Sequence, residues 1–75
     1  MDWRARIRVD PSICHGQACV AGTRIPVAVV LENLAAHLAP EDIVNSYPGL
    51  TRDGIDACIS YAADLAREQV IALPA

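Results

Sequence analysis

The chain has 75 residues, 53% of them apolar but none phenylalanine, with six arginines, no lysine and nine acidic residues for a net charge of -3. That length leaves room for one domain over residues 1–75, and the acidic balance argues against a strongly basic, nonspecific nucleic-acid binder. No apolar run approaches the roughly 18–20 residues of a membrane span and no apolar leader opens the sequence, so the cytoplasm is the expected address, with no membrane partner.

Residues 3–9 alternate, Trp3, Ala5, Ile7 and Val9 on one side and Arg4, Arg6 and Arg8 on the other. Period two predicts a half-buried strand, which Asp10-Pro11-Ser12 ends. A short loop follows, with Gly16 free to take positive φ. Residues 18–20 and 23–25 are β-prone and flank Ala21-Gly22, which predicts a tight hairpin with Gly22 at the positive-φ position. Pro26 suits the first turn of a helix over residues 26–37, whose apolar stripe is Val27, Val30, Leu31, Leu34 and Leu38. A second helix starts at Pro40, with Glu41 and Asp42 complementing its dipole and Ile43, Val44 and Tyr47 facing inward; Pro48-Gly49 stops it. Thr51 is a candidate N-cap for a third helix, with Ile55, Cys58, Ile59, Ala62, Leu65, Ala66 and Gln69 on its stripe. Gly54 weakens that helix by up to ~1 kcal/mol relative to alanine. The expected class is α+β, mainly α: strand and hairpin over residues 1–25, a three-helix bundle over 26–69, and an apolar tail over 70–75.

A chain this short buries only about 60% of the surface its unfolded form exposes. Its apolar content therefore predicts a second copy as partner, a homodimer.

Few residues point to chemistry. Arg4, Arg6 and Arg8 would form a row ~7 Å apart on one strand face, able to lie on DNA or on an acidic protein surface. The second and third predicted helices have helix-turn-helix spacing, which would present Thr51, Arg52, Asp53 and Asp56 to a groove; one arginine with two aspartates reads phosphate-rich surfaces poorly. Cys14, His15 and Cys19 lack a fourth ligand and the spacing of a zinc site, so no metal is expected. The cysteines are expected reduced, although a Cys14–Cys19 disulfide is possible on oxidation. His37 suits the carbonyl end of the first helix. Arg24 sits in an apolar run; buried there, it would need Asp10 or Glu32, either as a clamp between hairpin and helices or as a contact residue. A domain of this size has little room for a ligand pocket of ~300 Å³, and no nucleophile–base pair is placed for catalysis. The expectation is no enzyme and no cofactor.

One set of residues is more specific. Val9-Asp10-Pro11, Gly16, Val20, the run Gly22-Thr23-Arg24-Ile25-Pro26-Val27, Pro40-Glu41-Asp42-Ile43, Tyr47-Pro48, Leu50-Thr51, Ile55 and Tyr61-Ala62 resemble domain-of-unknown-function family 433. The family pattern has a glycine near the end of the first helix, where this chain has His37-Leu38. The resemblance implies a homeodomain-like or winged-helix-like helix-turn-helix core behind a β-hairpin, with Gly16, Gly22, Thr23, Arg24 and Pro26 as its structural signature. It also implies a dimeric VapB-type antitoxin that binds and blocks a PIN-like ribonuclease toxin and represses its own operon. On that likeness Arg4, Arg6, Arg8, Thr51 and Arg52 are candidate DNA contacts. Arg67, Glu68, Val70, Ile71 and Leu73 are candidate toxin contacts. The alternatives are a dimeric protein-interaction module without DNA binding and a stand-alone DNA-binding regulator.

Overall fold

The computed structural model describes residues 2–68. The protein is α+β and mainly α. A 3-10 turn (Trp3–Ala5) leads into strand β1 (Ile7–Val9); a second turn (Cys14–Gly16) leads into β2 (Ala18–Val20). Helices α1 (Val27–Ala35), α2 (Pro40–Ser46) and α3 (Arg52–Glu68) complete the order.

The predicted strand over residues 3–9 forms only in its last third. Asp2 accepts the amide of Arg4 at 3.0 Å, and Arg6 N–H donates to the Trp3 carbonyl at 2.8 Å, closing a helical turn instead. The cause is tertiary. The Trp3 ring meets Tyr61 edge-on, centroids 4.8 Å apart at 80°, and its indole N–H donates to Asp64 on α3. The turn seats this ring on α3. Val9 is 60% exposed, so the alternating face does not continue inward.

The strand β1 pairs antiparallel with β2, Ile7 opposite Val20, Arg8 opposite Cys19 and Val9 opposite Ala18. Ile7 and Val20 are buried on the helix-facing side. The Ala21-Gly22 turn forms as predicted: Thr23 N–H and Oγ1 both donate to the Val20 carbonyl, at 3.1 and 2.7 Å, and Gly22 has φ 78°. A third-position glycine at that φ is what a type II turn demands. The predicted pairing of 18–20 with 23–25 shrinks to Val20 N–H on the Ile25 carbonyl and one bridge, Cys19 with Pro26. Residues 18–20 satisfy their other edge against β1, so the hairpin proper is β1–β2. Thr23 rather than Arg24 ties the turn, its hydroxyl also accepting from Ile25 N–H at 3.1 Å.

Pro26 caps α1 from extended geometry (ψ 141°) instead of occupying its first helical position. The helix ends in a Schellman arrangement. Leu38 N–H reaches back to the Asn33 carbonyl at 3.1 Å and His37 N–H to that of Leu34 at 2.9 Å, with His37 at φ 68°. Glycine is the usual residue there because a Cβ is strained in that region. Histidine therefore carries backbone strain at the position where the family pattern has glycine. His37→Gly should raise stability by about 0.5–1 kcal/mol and the melting temperature by roughly 3–6 °C; a thermal melt showing a lower midpoint would refute the strain argument.

Pro40 opens α2 at its first turn, as predicted. Asn33 donates to the Tyr47 hydroxyl at 3.2 Å and so ties α1 to the end of α2. Thr51 caps α3, its Oγ1 accepting Gly54 N–H at 3.1 Å. Gly54 is buried, and a Cβ there would meet Leu50 Cδ1 at 3.2 Å and Val20 at 3.5 Å. The missing side chain lets the hairpin sit close to α3, which offsets its propensity cost. The core is one cluster of Ile7, Val20, Val27, Val30, Ile43, Leu50, Ile55, Ala57 and Cys58. Burial raises the Cys58 thiol pKa to about 11, so this sulfur is a small apolar core atom. Four residues assigned to the apolar stripes, Leu38, Ile59, Leu65 and Ala66, are exposed instead.

Candidate functional site

The arginine row does not exist as a row. Arg4 lies in the first turn, its guanidinium 4.6 Å above the Trp3 ring and 3.5 Å from Asp2. Arg6 caps that turn and reaches Asp53 on α3 at 3.5 Å. Only Arg8 stands on β1. The helical turn at Trp3–Ala5 rotates the three side chains away from a common face. Arg52 pairs with Glu41 of α2 at 3.3 Å, and Thr51 spends its hydroxyl on the α3 cap. Arg67 pairs with Asp64 at 2.9 Å. These are exposed pairs worth little each in stability, but they occupy four of the six arginines.

Arg24 is exposed, and among the described residues it meets neither Asp10 nor Glu32 nor any other carboxylate. The expectation of a buried, clamped arginine is thus corrected: Arg24 faces outward while its neighbour Ile25 packs against the core. Arg8 is likewise exposed and outside the ion pairs among the described residues.

Surface concavities are larger than domain size suggests. One, of about 340 Å³, is lined by Arg8, Asp10, Ile13, Cys19, Thr23 and Arg24 with the Ala21-Gly22 backbone. A second, of about 390 Å³, lies among Pro40, Glu41, Val44, Asn45 and Arg52. A third, of about 300 Å³, runs between β2, α1 and α3 and is mostly apolar: Ala18, Val27, Ala28, Leu31, Tyr61 and Leu65. All three are open grooves that the loops and helix ends leave outside the core, not enclosed pockets within it.

The Cys14–Gly16 turn places Cys14, His15 and Gly16 at positive φ and folds Cys14 over Cys19, where the two sulfurs pair as a disulfide. Cys14 and Cys19 are thus the two cysteines that oxidation would join. Asp10 accepts the Ser12 hydroxyl at 2.7 Å and the Ser12 amide at 2.8 Å. Those hydrogen bonds, with a smaller contribution from Arg8, hold its carboxyl below the usual range. Among the described residues no three His, Cys, Asp or Glu side chains converge, and no helix is long and apolar enough to cross a membrane. Glu68 closes α3, while Val70, Ile71 and Leu73 lie outside the described residues.

The family model described as protein of unknown function (DUF433) matches residues 7–62. The chain belongs to the DUF433 family. A solved crystal structure of a DUF433 member protein from Anabaena variabilis is 28% identical, with a TM-score of 0.77. The similarity covers 87% of this chain and 64% of that one, so the chain spans less than two thirds of its solved relative. No curated protein matches the chain. The DUF433 match begins at β1 and ends within α3. The Trp3 turn and its partner Asp64 therefore stand outside the matched segment, whereas Arg8, Arg24 and most of the apolar groove fall inside it.

Sequence reasoning misses two features of this DUF433 chain: the concavity that Arg8 and Arg24 both line, and the apolar groove beside α3. The first follows from strand register, which no local pattern encodes. The second has a signal in the excess of apolar residues over what the core can hide.

Proposed function

We propose that the chain is a cytoplasmic, non-enzymatic, antitoxin-like binding protein. It docks on a PIN-like ribonuclease and covers the acidic site of that enzyme, and it acts as a homodimer. The observation that supports this reading best is the groove between β2, α1 and α3. Leu65 of α3, 42% exposed, lines it, and Ile59, 48% exposed, lies about a third of a turn away around the same helix. An apolar groove with large apolar side chains exposed on its bordering helix suits a protein partner. The operator-binding part of the reading has less behind it. Arg4, Arg6 and Arg52 are engaged with carboxylates, and the start of α3 is acidic at Asp53.

The test is co-expression with the product of the adjoining gene. A small PIN-like ribonuclease that co-purifies with the chain and loses its activity in the complex would support the proposal. Leu65→Glu together with Ile59→Glu should weaken that complex about 30-fold or more. The same exposed substitutions should leave the circular dichroism spectrum unchanged. Absence of such a gene, or a complex indifferent to both substitutions, would sink the reading. Operator binding is checked separately: each phosphate contact steepens the salt dependence of affinity by roughly 0.9 in log–log slope.

A further inference from the structure

Two arginines differ from the other four. Arg8 and Arg24 are exposed, make no ion pair among the described residues, and line the same concavity of about 340 Å³. They arrive from separate stretches of chain. Arg8 pairs with Cys19 across the β1–β2 ladder, and Cys19 in turn bridges Pro26. Three segments thus lie side by side, with an arginine on each outer one. Asp10 shares the lining, but its Oδ1 already accepts two hydrogen bonds from Ser12. The concavity therefore holds two cations and one engaged anion, in a chain whose net charge is -3. Ile13 and Val20 supply apolar lining. The wall at Gly22 is bare backbone, since a Cβ there would find nothing within 4 Å.

We infer that this concavity is a carboxylate-recognition site, which takes an acidic side chain from an extended segment of a partner protein. Two guanidinium groups present planar donors that match a carboxylate. The apolar lining suits an aliphatic neighbour of that acid, and the open backbone at Gly22 admits a second chain at close range. A nucleic-acid backbone fits less well. It would bring successive phosphates against Asp10 and against an acidic protein. The site goes beyond the ribonuclease-docking proposal, because it shares no lining residue with the apolar groove and its test needs no ribonuclease.

The experiment is a nuclear magnetic resonance titration of the full chain, labelled with nitrogen-15, with a blocked pentapeptide of alternating glutamate and leucine. The Nε–H resonances of Arg8 and Arg24 and the Gly22 amide should move together and saturate. The peptide with glutamine for glutamate should leave them in place. The double variant R8Q/R24Q should bind the acidic peptide about tenfold more weakly or worse, with an unchanged circular dichroism spectrum because both side chains are exposed. Failure to saturate, or shifts that survive in R8Q/R24Q, would overturn the assignment. Inorganic phosphate or a short DNA duplex moving the same resonances at lower concentration than the peptide would overturn it in favour of a phosphate ligand.

Discussion

Ile43→Ala is expected to lower the unfolding free energy by about 3 kcal/mol and the melting temperature by roughly 15 °C. Ile43 is fully buried and is the only residue of α2 that is. It is the main anchor of this seven-residue helix in the core cluster, with the half-buried Val44 packed beside it. Alanine would remove three carbons and leave a cavity that α2 cannot collapse into, because Pro40 at one end and the Asn33–Tyr47 hydrogen bond at the other hold it in place. A chain of this size has a total stability of only about 4–11 kcal/mol, so the variant would be close to its limit. Urea denaturation reads the loss directly, and Ile59→Ala serves as a control on an exposed site, expected within about 0.5 kcal/mol of the parent. A loss under about 1 kcal/mol at Ile43 would mean that α2 is not anchored as described.

Trp3→Ala is the second large effect, expected at about 2 kcal/mol and roughly 10 °C. The ring is half-buried, so the loss falls below that of a core tryptophan. It comprises the edge-on contact with Tyr61, the hydrogen bond to Asp64, and the seat on which Arg4 rests. Trp3→Phe keeps the stacking and loses the indole N–H, and should cost about half as much. Equal losses for the two variants would show that the hydrogen bond carries the attachment. No loss in either would show that the first turn is not docked on α3.

The devices that act locally are legible in the amino-acid sequence. Gly22 has to sit in a turn, Pro40 has to open a helix, and Thr51 stands where a cap is needed; each works through its near neighbours in the chain. Val27, Val30, Ile43, Ile55 and Cys58 are readable from helical period. What escapes reading depends on partners far away along the chain. The alternation of Trp3 to Val9 is a genuine strand pattern, overruled by a tyrosine and an aspartate on α3, the latter 61 residues distant. Arg24 reads as buried because its neighbours are apolar, yet it faces outward while Ile25 beside it turns in. Arg8 and Arg24 come to line one concavity through strand register, which depends on how the loop of residues 10–17 closes. The outer parts of the α3 stripe, Ile59 and Leu65, obey the period of a core helix and still face solvent. Period alone does not say how much core there is to fill.

The brevity of β1 has a consequence for how copies of this chain can meet. Ala21 N–H donates to the Arg6 carbonyl, so Arg6 and Arg8 turn their backbone groups toward β2. Ile7 and Val9 turn theirs to the open edge. The Trp3–Ala5 turn cuts that edge off on one side and Asp10-Pro11 on the other. A second strand laid alongside would find a ladder only two residues deep, too little to seed edge-to-edge stacking. The fold thus keeps its sheet from acting as a template for fibres, and leaves sticky contact between molecules to the side chains of its helices.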